Sequence, residues 1–116
     1  MPHKIKITAG PVAMTAQMND CETAKKIWEA LPIESSAKTW GREVYFDIPV
    51  DMPAQDAKPK VPSGSIAFWP DGSCFCIFFG QTPYSPVNVL GRVDGDEKEF
   101  AKVKDGDAVK IEKAED

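Results

Sequence analysis

Three cysteines and a single histidine carry most of the chemical potential of this chain, and their spacing narrows what they do. Cys74 and Cys76 sit two apart in an extended run, which places both thiols on one face. A metal pair or redox couple uses Cys-x-x-Cys in a turn instead. Neighbours two apart on a strand are also too extended for an unstrained disulfide, so both read as small packing residues. Cys21 opens a helix, where the backbone field lowers a thiol pKa, yet no histidine partners it as a nucleophile. His3, near the terminus, excludes histidine-based triads and multi-histidine zinc sites. Asp94-Gly95-Asp96 and Asp105-Gly106-Asp107 resemble half a calcium loop, but the remaining ligand positions are missing; turns and caps account for them. Ser35, Ser36 and Ser85 have no adjacent base, and no phosphate-binding glycine loop is present. The sequence thus offers no catalytic set, no metal site and no cofactor motif.

Aromatic residues at loop ends are the other candidates. Trp40 and Trp69 flank turns, where amphipathic rings commonly keep one edge exposed; Trp28 falls at helical spacing and reads as core. The formal net charge is −4, from 18 acidic and 14 basic residues, and Arg42 and Arg92 are the two arginines. Nucleic-acid binding needs a concentrated positive field, and the lysines here are scattered. No apolar run approaches a membrane span of about 20 residues, and the N-terminus lacks the apolar stretch of a signal peptide. With an odd cysteine count, a reduced, cytoplasmic protein without nucleic-acid or membrane partners is expected, as a monomer or weak homodimer.

The elements that position these residues are short. Ile5, Ile7 and Ala9 alternate with Lys4, Lys6 and Thr8, a half-buried strand; Gly10-Pro11 turns it into a second alternation through Val12, Met14, Ala16 and Met18. Asn19 is read as the N-cap of a helix with Glu22 completing a capping box. Ala24, Ile27, Trp28 and Leu31 form its apolar face, and Pro32 ends it. Ile33–Trp40 and Arg42–Pro49 read as a hairpin about Gly41, with Val44, Phe46 and Ile48 on one side and Tyr45 and Asp47 on the other. Residues 49–63, broken by four prolines, form a long surface loop. Ile66–Trp69, the turn Pro70-Asp71-Gly72 and Cys74–Phe79 follow, the last apolar on both faces and therefore covered on both. Val87–Val93 is another strand. Asp96 caps a short helix to Val103 anchored by Phe100 and Val103, and Val109 and Ile111 alternate in a final strand. At 116 residues this is one domain, 1–116. Many short strands in so small a chain predict a closed or nearly closed barrel.

GSIAFWPDGSCFCIFFG followed by VNVLGRVDGD resembles the second half of a cyclophilin, with Gly72–Ile77 in place of its Gly-Ser-Gln-Phe-Phe-Ile run and Val87–Val93 in place of its valine-rich strand. TWGREVYFDIPV, FWPDG and CIFFG are similar to the short prokaryotic cyclophilin-like family. The resemblance implies a mainly β fold, a closed barrel of about eight strands capped by one long and one short helix. By that likeness Trp69, Cys74, Cys76, Tyr84 and Val87 line an outer groove, with Trp40 as a further candidate. Cyclophilins isomerise X-Pro bonds with an arginine from the strand after the first helix; here that strand reads Ile33–Trp40 and holds none. Lys38 or Arg42 would have to replace it, and lysine lacks the planar fork. The expectation is a non-catalytic module that binds a small molecule or peptide, the alternative a peptidyl-prolyl isomerase with an atypical site.

Overall fold

In the computed structural model, which describes residues 3–80 and 86–114, the period-two segments become strands. Strand β1 (His3–Ala9) pairs antiparallel with β2 (Val12–Met18). Ile5, Ile7, Ala9, Val12, Ala16 and Met18 enter the core while Lys6, Ala13 and Gln17 stay exposed. Gly10 takes φ 54° at the turn, the left-handed region glycine occupies without strain. Helix α1 (Glu22–Ala30) follows and buries Thr23, Ala24 and Ile27, with Trp28 and Leu31 packed at the core's margin.

The cap of α1 differs from expectation. Cys21, not Asn19, is the N-cap, its sulfur accepting from the Ala24 N–H at 3.4 Å. Asn19 is committed elsewhere: its Oδ1 accepts from the Cys21 N–H and its Nδ2 donates to the Val89 carbonyl. This local turn stops the chain two residues short of the helix. At the other margin of α1, His3 stacks on Trp28 at 4.4 Å and the Lys113 ammonium sits 5.0 Å from the same ring.

The run after the helix is not one arm of a hairpin. It divides at Ala37 into β3 (Ile33–Ser36) and β4 (Lys38–Thr39), and only β4 pairs with β5 (Glu43–Asp47). The cause is a long-range partner: β3 lies antiparallel to the final strand β9 (Ala108–Lys113). Ala37 between them donates to the Asp107 carbonyl and accepts from the Gly106 N–H. Strands β6 (Ser65–Trp69), β7 (Cys74–Phe78) and β8 (Asn88–Val93) complete one sheet, ordered β3-β9-β1-β2-β8-β6-β7-β5-β4. Its two outermost strands are consecutive in the chain, so the sheet rolls into a nearly closed barrel. Nine strands become eight staves when the segment 33–39 is counted once, in line with the expected number.

Asp96 caps the expected short helix, which is a 3₁₀ helix (Glu97–Lys102), more tightly wound than an α-helix, with Phe100 and Val103 buried as anchors. Phe100 and Ile27 bring both helices into one core with Phe46, Phe68, Phe75 and Leu90; Phe46 stacks on Phe75 at 5.3 Å. Strand β8 begins beside α1 and ends beside the 3₁₀ helix, so the helices cover opposite ends. Among the described residues no helix is long and apolar enough to cross a membrane.

Candidate functional site

Strand β7 supplies residues to both sides of the barrel wall. Phe75 and Ile77 point into the main core, whereas Cys74, Cys76 and Phe78 belong to a second apolar cluster outside it. Every residue of β7 is buried, which meets the requirement that a two-faced apolar strand be covered twice. The register builds the outer cluster in rows: Asp47, Cys74 and Trp69 form one, and Tyr45, Cys76 and Ala67 the next. Val87 closes the cluster from the side, and Val61 reaches it from the 49–63 loop.

That loop is a strap. Lys58 and Val87 exchange backbone hydrogen bonds of 2.8 and 3.0 Å. Nearer α1, the buried Asn88 holds it by a side chain: Oδ1 accepts from the Gln55 N–H at 2.8 Å, and Nδ2 donates to the Pro53 carbonyl and to Thr23 Oγ1, each at 3.1 Å. Ile48 and Val50, at the root of the strap, are buried in the main core.

Of the six residues expected to form a groove, the structure brings four together: Trp69, Cys74, Cys76 and Val87. They are covered rather than open, with Cys74 at 3%, Cys76 at 1% and Val87 at 1% exposure. The open concavity lies beside them, lined by Asp51, Met52, Pro53, Pro70, Asp71 and Pro86, about 550 Å³ in volume. Trp69 borders it through its turn and folds back over Gly72, whose absent side chain leaves room for the indole. Trp40, 45% exposed at the β4–β5 turn, is not part of this cluster. Tyr84 lies outside the described residues.

Sequence reasoning missed Glu43 and Tyr45. It places Tyr45 with Asp47 on the side of the strand away from Val44, Phe46 and Ile48, and does not single out Glu43; the second cover makes that outer face an interior. Glu43 is buried to 6% exposure and pairs in register with Phe78. Burial, then the Glu43 charge and a hydrogen bond to it, push the Cys76 thiol well above its ordinary range. Burial and the Asp47 carboxylate, which accepts from the Cys74 Sγ at 3.2 Å, push Cys74 from 9.0 up to about 12. Burial thus favours the protonated form of both thiols. Among the described residues no group of three or more His, Cys, Asp or Glu could hold a metal ion.

The shifts fix a pH window. Below about pH 9 the thiols are protonated in both folded and unfolded chains, and their stabilising effect is fully present. Above it the unfolded chain releases the Cys74 proton that the folded state keeps to about pH 12, so stability falls across that interval. Urea unfolding at pH 8 and 10.5 is expected to show a lower midpoint at the higher pH and a smaller drop in Cys74→Ala. An equal drop in the variant would assign the loss to other groups.

Lys38 is 3.5 Å from Asp47, both side chains more than half exposed. Arg42 stands exposed at the turn, as expected.

A sequence profile described as Cyclophilin-like matches residues 3–112. No curated protein matches the sequence. Among solved structures, the chain is similar to the hypothetical protein AF2241 from Archaeoglobus fulgidus, with TM-score 0.85, 31% identity, and coverage of 97% of this chain and 95% of that one. It is also similar to McbB, solved in complex with tryptophan, with TM-score 0.78, 18% identity, and coverage of 97% of this chain and 45% of the other.

Proposed function

The chain belongs to the Cyclophilin-like family, and on that barrel we propose that it serves as a non-catalytic binding module for a small molecule or peptide seated beside Trp69. One observation carries the reading: an apolar cluster outside the core, under a polar-rich strap, adjoins an open concavity of about 550 Å³. That volume falls within the roughly 300–1,000 Å³ typical of small-ligand clefts. Met52, Pro53, Pro70 and Pro86 offer it apolar walls, and Asp51 and Asp71 two carboxylates. This favours a ligand with an apolar body and an amine or other donor at one end. McbB, whose likeness here is of fold alone, has tryptophan in its own structure.

An isomerase is the weaker reading. It needs a cation aimed at an imide nitrogen, and the Lys38 ammonium is engaged with Asp47.

Titration with a small aromatic amine, followed through Trp69 emission in a Trp28→Phe/Trp40→Phe background, tests the proposal. A saturable shift is expected, weakened about tenfold in Asp71→Asn, the scale of one charge-assisted hydrogen bond. An unmoved Trp69 signal would sink it.

A further inference from the structure

We propose that Asn88 is a positioning residue for the concavity beside Trp69, and that a ligand filling this concavity fastens the strap over the outer cluster. The inference rests on the binding reading above and deepens it by naming how that site is regulated. Its basis is that the walls of the concavity and the fastenings of the strap are the same stretches of chain.

One wall is residues 51–54, and the strap is fastened within it and directly after it. Pro53 lines the concavity while its carbonyl accepts from Asn88 Nδ2 at 3.1 Å. Gln55, one residue past the wall, donates its N–H to Asn88 Oδ1 at 2.8 Å. The other wall is Pro70 and Asp71 of the β6–β7 turn together with Pro86. Pro86 immediately precedes Val87, which exchanges backbone hydrogen bonds with Lys58, and then Asn88 itself. The concavity therefore has this shape only while the strap is down. Asn88 is 1% exposed and is not among the lining residues, so it acts through Pro53 and Gln55 rather than by touching a ligand.

The strap is also the part of the molecule built to open. No residue from 51 to 63 is buried, whereas Ile48 and Val50 on one flank and residues 64–68 on the other are. Met52 packs only partly against the main core, and Val61 only partly against the outer cluster. Polar fastenings thus hold the segment more than apolar area does, and such segments open at a fraction of the free energy of global unfolding. Thr23, fully buried on α1, braces the fastening by donating to Gln55 Oε1 and accepting from Asn88 Nδ2, both at 3.1 Å. A ligand that touches residues 51–54 and Pro86 together has its full contacts only in the fastened state, so binding shifts the strap toward that state. The linkage is reciprocal, and loosening the fastening weakens the ligand.

The test uses the intact chain with 2-phenylethylamine as the probe. Trp69 emission in the Trp28→Phe/Trp40→Phe background gives its Kd, and hydrogen exchange of the Gln55 and Lys58 amides in the same protein gives strap opening. Lys58 does not line the concavity, so its protection reports the strap and not contact with the probe. Without probe, both amides are expected to exchange faster than those of β1 and β9, which wait for global unfolding. At ten times Kd their exchange should slow about tenfold, the factor by which occupancy depletes the open state. Asn88→Ala should weaken the probe at least about fivefold, the lower end of ordinary coupling between sites. Gly106→Ala, strained at a turn that takes no part in the strap, should keep the wild-type Kd. An unchanged Kd in Asn88→Ala, or equal weakening in both variants, overturns the positioning role. Strap amides that exchange no faster than those of β1 and β9 overturn the coupling, and this arm stands even where Asn88→Ala fails to fold. A saturable emission change with unaltered Gln55 and Lys58 exchange overturns the coupling too, yet leaves the binding reading in place. An unmoved emission removes the site and this inference together.

Discussion

Gly91→Ala is expected to lose about 4 kcal/mol of stability, a large share of the margin of a small domain, which is about 5–15 kcal/mol. Gly91 lies on β8 opposite Met18 of β2, next to the register shift between Ile66 and Ala67 of β6. Its φ is 152°, a conformation that costs a side-chain-bearing residue roughly 1–3 kcal/mol. An added Cβ would also collide with the backbone carbonyl of Gln17. Backbone cannot swing aside as a side-chain tip can, so the collision separates β2 from β8 or distorts the bulge, and overpacking of this kind costs about 1–3 kcal/mol more. Gly106→Ala is the internal control: φ is 91°, but nothing lies within 4 Å of the added methyl, so only the conformational cost remains. Urea unfolding followed by circular dichroism reads both. Equal midpoints for the two variants would show that the close approach of β2 and β8 has no energetic weight.

Asn88→Ala should cost about 2–4 kcal/mol and, more tellingly, expose the outer cluster. The amide is the hub joining β8, α1 and the strap. Removing it takes the side-chain partner from the buried Thr23 hydroxyl and from the part-buried Gln55 N–H and Pro53 carbonyl; a polar group left unsatisfied on burial costs about 1–3 kcal/mol, less where water reaches it. The cheapest relief is for residues 53–55 to move out to water. Cys74 and Cys76 should then alkylate with iodoacetamide at least about tenfold faster, since reaction follows the population of the open form. Wild-type protein should label first at the half-buried Cys21. A destabilised variant with unchanged labelling at 74 and 76 would mean that the strap does not gate the face beneath it.

The barrel was legible because its strands advertise themselves locally. Ile5, Ile7 and Ala9 alternate, and Cys74–Phe78 is apolar throughout; periodicity alone requires one cover for the first and two for the second. Partners distant in sequence were not legible. Nothing in Ile33–Trp40 signals that its first half answers to β9 and its second to β5. Asn19 has a capping residue's chemistry but is drawn away by the Val89 carbonyl, 70 positions on. Glu43 looks solvated until the outer cover is known. The candidate groove was half legible for the same reason. Its floor residues follow from strand alternation, but the strap that roofs them is fastened through Asn88 and Val87, whose types do not predict it.

The division of residues 33–39 between two partners bears on how the molecule behaves among its own copies. Sheets invite growth where an outermost strand leaves a row of unpaired amides and carbonyls, the template on which fibrils extend. Here the outermost strands at either limit of the sheet are one short, continuous stretch, bonded to β9 along its first half and to β5 along its second, so little of either open side remains. Among the described residues little strand edge is therefore left on which another chain could begin to stack.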